Sequence, residues 1–182
     1  DTGLAYGELV VDNSDLTPAG AETPLPATGG PFAVTVASQA YLSADGLHTL
    51  QSLTVGTAGI MRHGDSDASN TYGMEIAVTG DILVATGGAI DVTGRGYPGG
   101  FRHGNSSVVG RTNGNSTTGG SSYRCGGSYA GYGGKGMNGG VGSVYGGPVN
   151  PSLPGAGGGA QSSSYPGGDG GGVIRLATVD GT

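Results

Sequence analysis

The sequence predicts an all-β chain in which a short parallel β-solenoid-like domain carries a glycine-rich extension, built either as long loops or by polyglycine-II-like packing. Three observations lead there. Gly supplies 43 of 182 residues, Trp is absent and charged residues reach only 11%, against a usual ~7% Gly and ~25% charge. A Gly inside a helix costs about 1 kcal/mol relative to Ala, so this composition excludes a mainly helical chain. Apolar residues alternate with a period of two through the first half, and small residues recur at every third position in part of the second.

Residues 1–31 read as one strand and a lead. Glu8-Leu9-Val10-Val11-Asp12 is a short apolar run, and pairing with its own domain is its default role. Pro18, Pro24, Pro26 and Pro31 follow. Proline removes an amide donor and fixes φ, so this stretch belongs at a surface or an edge.

Residues 32–93 carry the β-solenoid-like domain. Phe32, Val34 and Val36 alternate with Ala33 and Thr35, as in a half-buried strand. A turn at Ala44-Asp45-Gly46 precedes Leu47, Leu50, Leu53 and Val55, and Gly59 precedes Ile60 and Met61. After the polar loop from Gly64 to Gly73 come the pairs Ile76/Val78, Ile82/Val84 and Ile90/Val92, divided by Thr79-Gly80-Asp81 and Thr86-Gly87-Gly88. Short strands with Gly/Asp corners suit a sandwich, a barrel or a solenoid. Local similarity favours the solenoid. Val78-Thr79-Gly80 and Val92-Thr93-Gly94 repeat one corner pattern, and Thr178-Val179-Asp180-Gly181 resembles it. Parallel coils stack at ~4.8 Å with inward aliphatic ladders, and coils of ~20 residues would give about three here. Arg62-His63-Gly64-Asp65-Ser66 is echoed by Arg102-His103-Gly104-Asn105-Ser106, which suggests equivalent loops.

Residues 94–172 form the glycine-rich region, with 29 Gly in 79 positions. Gly127, Ala130, Gly133, Gly136, Gly139 and Gly142 stand three apart. Extended helices of three residues per turn and ~3.1 Å rise can pack closely only where one face lacks side chains. Their backbone groups then pair between helices. Tyr97, Tyr123, Tyr129, Tyr132, Tyr145 and Tyr165 punctuate the tract; their rings can cover glycine backbone or stack on sugars. In residues 173–182, Val173-Ile174-Arg175-Leu176-Ala177 reads as a strand that returns to the β domain.

Charge divides along the chain. Residues 1–91 hold eleven of the thirteen acids and one base, Arg62. From Val92 to Gly168 there is no acid, while Arg95, Arg102, Arg111, Arg124 and Lys135 are basic. The acidic part of one copy can thus attract the basic part of another, a heterologous contact that generates filaments when it does not close. Arg95, Arg102, Arg111 and Arg124, with Tyr129 and Tyr132, are the candidate contacts for assembly or for a ligand.

Catalytic and metal motifs are sparse. His48, His63 and His103 are scattered, and neither G-x-S-x-G nor H-E-x-x-H occurs. Cys125 is the single cysteine, so no intrachain disulfide can form. Calcium is the one cofactor considered: Asp65, Asp67 and Asn70 place oxygens at alternating positions, although Asn70 stands where an EF-hand loop needs Gly. Asn105 and Asn115 begin N-x-[ST] triplets, candidate glycosylation sites. A pI near 4.7 with scattered bases argues against nucleic acid, and no apolar run approaches the ~20 residues of a membrane span. The first residue, Asp1, suggests a processed chain or a segment of something larger.

The order of strands, then Asp91-Val92-Thr93-Gly94-Arg95-Gly96-Tyr97, a Gly/Ser/Tyr tract, and Gly170-Gly171-Gly172-Val173-Ile174-Arg175-Leu176 resembles the glycine-rich, β-helix-like modules of large bacterial cell-surface and secreted proteins, often adhesin-like. The resemblance covers roughly residues 32–181 and carries no catalytic signature. It implies an extracellular, non-catalytic structural subunit that associates with copies of itself into a filament or surface layer. A carbohydrate-binding surface module is the second expectation, and a β-helix polysaccharide-degrading enzyme a weaker third.

Overall fold

The computed structural model describes residues 7–17, 21–26 and 31–179, and among them it is nearly all β, without an α-helix. Pro18, Asp180 and Gly181, which the sequence reading used, lie outside the described residues. The chain divides into two units. One comprises Asp1–His63, Met74–Asp91 and Arg175–Thr182; the other comprises Gly64–Gly73 and Val92–Ile174.

The first unit is a parallel solenoid with three faces per coil. Its first sheet orders β1 (Glu8–Asp12), β3 (Ala33–Ala37), β6 (Ser52–Val55) and β9 (Ile82–Val84) side by side. The second holds β2 (Thr23–Pro24), β4 (Tyr41–Ser43), β7 (Ile60–Arg62) and β10 (Ala89–Ile90). The third holds β5 (Gly46–Leu50), β8 (Met74–Val78) and β11 (Ile174–Thr178). The paired strands run parallel, so each coil repeats the path of the last.

Register turns the alternation of the sequence into ladders. On the first sheet Leu9, Val34, Leu53 and Ile82 stack in one row, and Val11, Val36, Val55 and Val84 in the next. Leu42 stacks on Met61 and Met61 on Ile90 in the second sheet; His48 stacks on Ile76 and Leu50 on Val78 in the third. The middle rungs are fully buried: Val34, Val36, Leu42, Leu53, Val55, Met61, Ile76 and Val78. Each such side chain contributes about 1.5–3 kcal/mol on burial. Leu47, one of the apolar residues of the sequence pattern, instead points outward from β5 and is exposed.

Residue 33 stacks on residue 52, a step of 19 residues, but residue 53 stacks on residue 82, a step of 29. The longer step contains Gly64–Gly73, which leaves between β7 and β8. The stretch from Val92 leaves after β10 and returns into β11, at the same place in the next coil. Tight turns from the first sheet to the second recur in Ala37–Ala40, Gly56–Gly59 and Ala85–Gly88, each closed by an amide-to-carbonyl bond of 2.9–3.0 Å. A Cβ at Gly59 or Gly88 would collide with the carbonyl oxygen of Val36 or Val55 in the neighbouring coil. The V-T-G pattern is not this repeat. Val78-Thr79-Gly80 turns from the third face to the first, whereas Val92-Thr93-Gly94 follows β10. The two R-H-G pentapeptides also differ: His63 follows β7 and is fully buried, while His103 sits exposed in a turn at φ 43.

The second unit is held by backbone. Its segments are extended, and their hydrogen bonds advance by three residues. Tyr97 and Gly100 donate to Gly155 and Gly158; Gly155 and Gly158 donate to Gly171 and Gly168; Gly157 and Ala160 donate to Arg111 and Val108. Gly167 and Gly170 donate in turn to Gly100 and Tyr97. Successive residues of one segment therefore bond to different neighbours, as packed three-fold helices require. Gly133, Gly136, Gly139 and Gly142 form one face against the backbone of residues 119–126, and a Cβ on any of them would meet main chain or, at Gly139, also Cys125 Sγ. Gly127 departs from that stripe and faces Ala156 instead.

Candidate functional site

Several polar side chains that the sequence singles out are bonded within the second unit. Asp67 Oδ1 accepts the amides of Ser69 and Asn70 at 2.7 Å each, and Asn70 Nδ2 lies 3.3–3.4 Å from both carboxylate oxygens. Those donors, led by the Ser69 amide, hold the Asp67 carboxyl below its ordinary 3.8. Asp65 lies 3.3 Å from Arg95 Nη1. Asp65, Asp67 and Asn70 thus build a self-capped turn with an ion pair beside it, and no group of three or more His, Cys, Asp or Glu among the described residues is placed to hold a metal ion.

The basic residues are engaged as well. Arg95 is only 8% exposed, which removes it from the candidate contacts. Arg102 Nε donates to Gly167 O at 3.0 Å and its Nη1 lies 3.6 Å from Asp169. Arg111 donates to Asn115 O. Arg124 donates to Gln161 Oε1 at 3.0 Å and lies over the Tyr123 ring. The positive charge read from this stretch is therefore partly neutralised inside the same unit by Asp65 and Asp169, and attraction between copies has less to act on than the sequence implies.

Both N-x-[ST] asparagines donate hydrogen bonds within the second unit. Asn105 is buried, and its Nδ2 donates to Gly99 O and Val109 O at 2.9 Å each. Asn115 Nδ2 donates to Asp67 O at 2.9 Å. Asn105 Nδ2 thus spends both hydrogens in the interior, whereas Asn115 Nδ2 makes one bond from a half-buried position.

Tyr129 packs edge-on against Tyr145, with centroids 5.3 Å apart, and Tyr145 packs likewise against Tyr97 at 6.3 Å. Burial pushes the phenols of Tyr97 and Tyr145 above the ordinary value of 10. Tyr129 is thus part of an aromatic cluster, while Tyr132 is 78% exposed and free to meet a partner. Cys125 is buried, and its Sγ accepts the Gly136 amide at 3.2 Å.

Two surfaces bear most on function. One is a groove of about 480 Å³ in the second unit, lined in part by Ala156 and by Gly126, Gly127, Gly158, Gly167 and Gly168. Arg124, Gln161, Tyr165 and Asp169 also line it. The Asp169 carboxylate anchors one side: it accepts the Gly99 amide at 2.8 Å and lies 3.2 Å from His103 Nε2. Sequence reasoning missed Asp169, although an isolated acid after a long basic stretch was the available signal.

The other surface is the pair of ends of the solenoid. β1 and β9 are the edges of the first sheet, and β2 and β10 of the second. Edge strands keep unpaired amides and carbonyls. Outward-facing Val10 and Leu83 are 54% and 55% exposed, and the last rung, Val84, is 45% exposed. The chain matches no known family model, no curated protein and no solved structure.

Proposed function

We propose that this chain is a non-catalytic structural subunit of an extracellular or cell-surface assembly, in which copies associate end to end into a filament or layer. The observation that carries this reading is that, among the described residues, no strand covers the outer edge of β1 or of β9. Leu9/Val11 and Ile82/Val84 are the terminal rungs of the same two rows. Because the strands are parallel, the two ends differ, and β1 of one copy can continue the coil beyond β9 of another with strand direction preserved. Such a contact is heterologous and propagates. It adds main-chain pairing and buries aliphatic surface that a single copy leaves wet.

Electron microscopy and sedimentation of the purified chain test this. Uniform filaments are expected, and the double substitution Leu83→Lys with Val84→Lys should abolish them while leaving the β-sheet circular dichroism in place. A chain that stays monomeric at high concentration, in low and high salt alike, overturns the reading. The exposed rings of Tyr132 and Tyr165 favour a second reading, a surface that stacks on sugars. Retention on a glycan array by the monomer, lost in Tyr132→Ala or Tyr165→Ala, would support it.

A further inference from the structure

The groove in the second unit carries one uncompensated charge. Only two of its lining residues are ionic, Asp169 and Arg124. The Asp169 carboxylate is already spent. It accepts the Gly99 amide at 2.8 Å, lies 3.2 Å from His103 Nε2 and 3.6 Å from Arg102 Nη1, and its side chain is 9% exposed. Arg124 is exposed and makes no ion pair among the described residues. Its Nε donates to Gln161 Oε1 at 3.0 Å, and its guanidinium carbon lies 5.5 Å from the centre of the Tyr123 ring. The group is thus held in place, while Nη1 and Nη2 donate to nothing among the described residues.

The backbone at Arg124 points to a role for the side chain itself. Tyr123 and Arg124 have φ of 35 and 63, in the left-handed region. No other two consecutive non-glycine residues of the second unit do so among the described residues. Gly adopts that region without strain, and it is the commonest residue of this stretch, with 29 copies in residues 94–172. Side chains retained at a strained pair in such a sequence are retained for what they contact. Tyr123 supplies the ring beside the guanidinium, and Arg124 brings its charge to the groove.

The rest of the lining bears on what the anion is attached to. Apart from the Tyr165 ring, which is 65% exposed, its apolar side chains are Cys125, Ala156 and Pro166. An aliphatic peptide anchor finds little to fill. Gly127, Gly168 and Asp169 line the groove, and their amides make no hydrogen bond among the described residues. Main-chain groups at a partly buried seam call for partners, which suits a ligand rich in oxygen. The volume of about 480 Å³ is that of an ordinary small-ligand site. Two free nitrogens on one planar guanidinium match the two oxygens of a carboxylate, and a phenol ring can cover the C–H face of a pyranose. We propose that this groove binds an acidic saccharide, with a uronate carboxylate on Arg124 Nη1 and Nη2 and the sugar ring against Tyr165. The assignment rests on the second reading, a surface that stacks on sugars, and adds to it the seat and the charge of the ligand.

Defined oligosaccharides test it. The full chain is used with Leu83→Lys and Val84→Lys, to keep the solenoid ends out of the measurement. A fluorescent galacturonate tetrasaccharide should bind saturably by anisotropy, and its uncharged methyl ester about tenfold more weakly or worse. Arg124→Gln should lose about tenfold of the uronate affinity and none of the affinity for the ester. Arg124→Lys keeps the charge without the paired nitrogens and should fall between the two. A second measurement needs no change in the groove: on titration with the uronate, the ¹⁵N-labelled chain should show its largest amide shifts at Gly127, Gly168 and Asp169. Equal binding of acid and ester overturns the proposal, as do shifts that lie outside residues 124–127 and 161–169. Tighter binding of a tetrapeptide with a free C-terminal carboxylate overturns it too. Glycans held through Tyr132 and indifferent to Arg124→Gln would keep the sugar reading and remove this one, whereas a chain that binds no saccharide removes both.

Discussion

At the scale of single residues, glycine divides into two kinds, and the division predicts opposite responses. A Cβ at Gly157 would fall on the Pro98 carbonyl, and backbone cannot yield as a flexible side chain can. Gly157→Ala should destabilise by about 2–3 kcal/mol, visible as a fall of several degrees in thermal unfolding, whereas Gly168→Ala should not lower the melting temperature. The buried tyrosines set a second response. Burial holds the Tyr97 and Tyr145 phenols neutral in the fold, with pKa above 10. Below pH 10 folded and unfolded chains are both neutral at these groups, so nothing changes. Above 10 the unfolded chain ionises first, and stability should fall as pH rises. Denaturant melts at pH 8 to 11, read beside spectrophotometric phenol titration, would show this, and Tyr145→Phe should lessen the decline. Asp67 shows what an alternating run of oxygens does locally. Alternating oxygens look like a cation loop in the sequence, and in the fold the Ser69 and Asn70 amides both bond Asp67 Oδ1 and cap the turn.

At the scale of elements, the ladder predicts a gradient along the solenoid. Leu53 sits in a middle rung with neighbours in both adjacent coils. Leu53→Ala should cost about 2–5 kcal/mol. Val84, in a terminal rung, should cost under ~1 kcal/mol when cut to Ala in the isolated chain, and more once copies associate; chemical denaturation at low and high protein concentration separates the two cases. This element scale is where the sequence was most legible. Period-two alternation located β3, β6 and β8, and the inward residues Val34, Val36, Ile76 and Val78 follow from it. The three-residue spacing of Gly133 to Gly142 likewise marked a true packing face. The coil repeat was harder to read. The turns that do repeat, Ala37–Ala40, Gly56–Gly59 and Ala85–Gly88, share a closing bond and a positive φ at Gln39, Ala58 and Gly87 but little sequence, and the first also has positive φ at Ser38. Two insertions between the second and third faces then spoil any fixed period. The groove was harder to read for a different reason: its lining joins residues 124–127, 156–161 and 165–169, and glycine main chain supplies much of it, so only Arg124 and Asp169 marked it in the sequence.

At the scale of the whole molecule, end-to-end stacking carries a consequence for salt. Continuing the register beyond β9 would set Leu9 of the next copy on Ile82, and therefore Glu8 opposite Asp81. Like charges directly opposite across a strand pair are unfavourable, and they are screened as the Debye length falls to ~8 Å near physiological ionic strength. Assembly through the solenoid ends should strengthen with added salt and with Asp81→Asn, as followed by light scattering. An association driven by acidic and basic regions would weaken instead.

The three-residue hydrogen-bond ladder of the second unit bears on calorimetry. A heat capacity of unfolding grows with the hydrocarbon newly wetted and shrinks with the polar surface newly wetted. Here melting would hydrate mostly peptide groups, since glycines fill the positions where other proteins bury aliphatic carbon. The increment per residue should fall below the customary ~12–15 cal/mol/K. A free-energy profile of low curvature results, one that changes slowly between refrigeration and warmth and postpones cold unfolding.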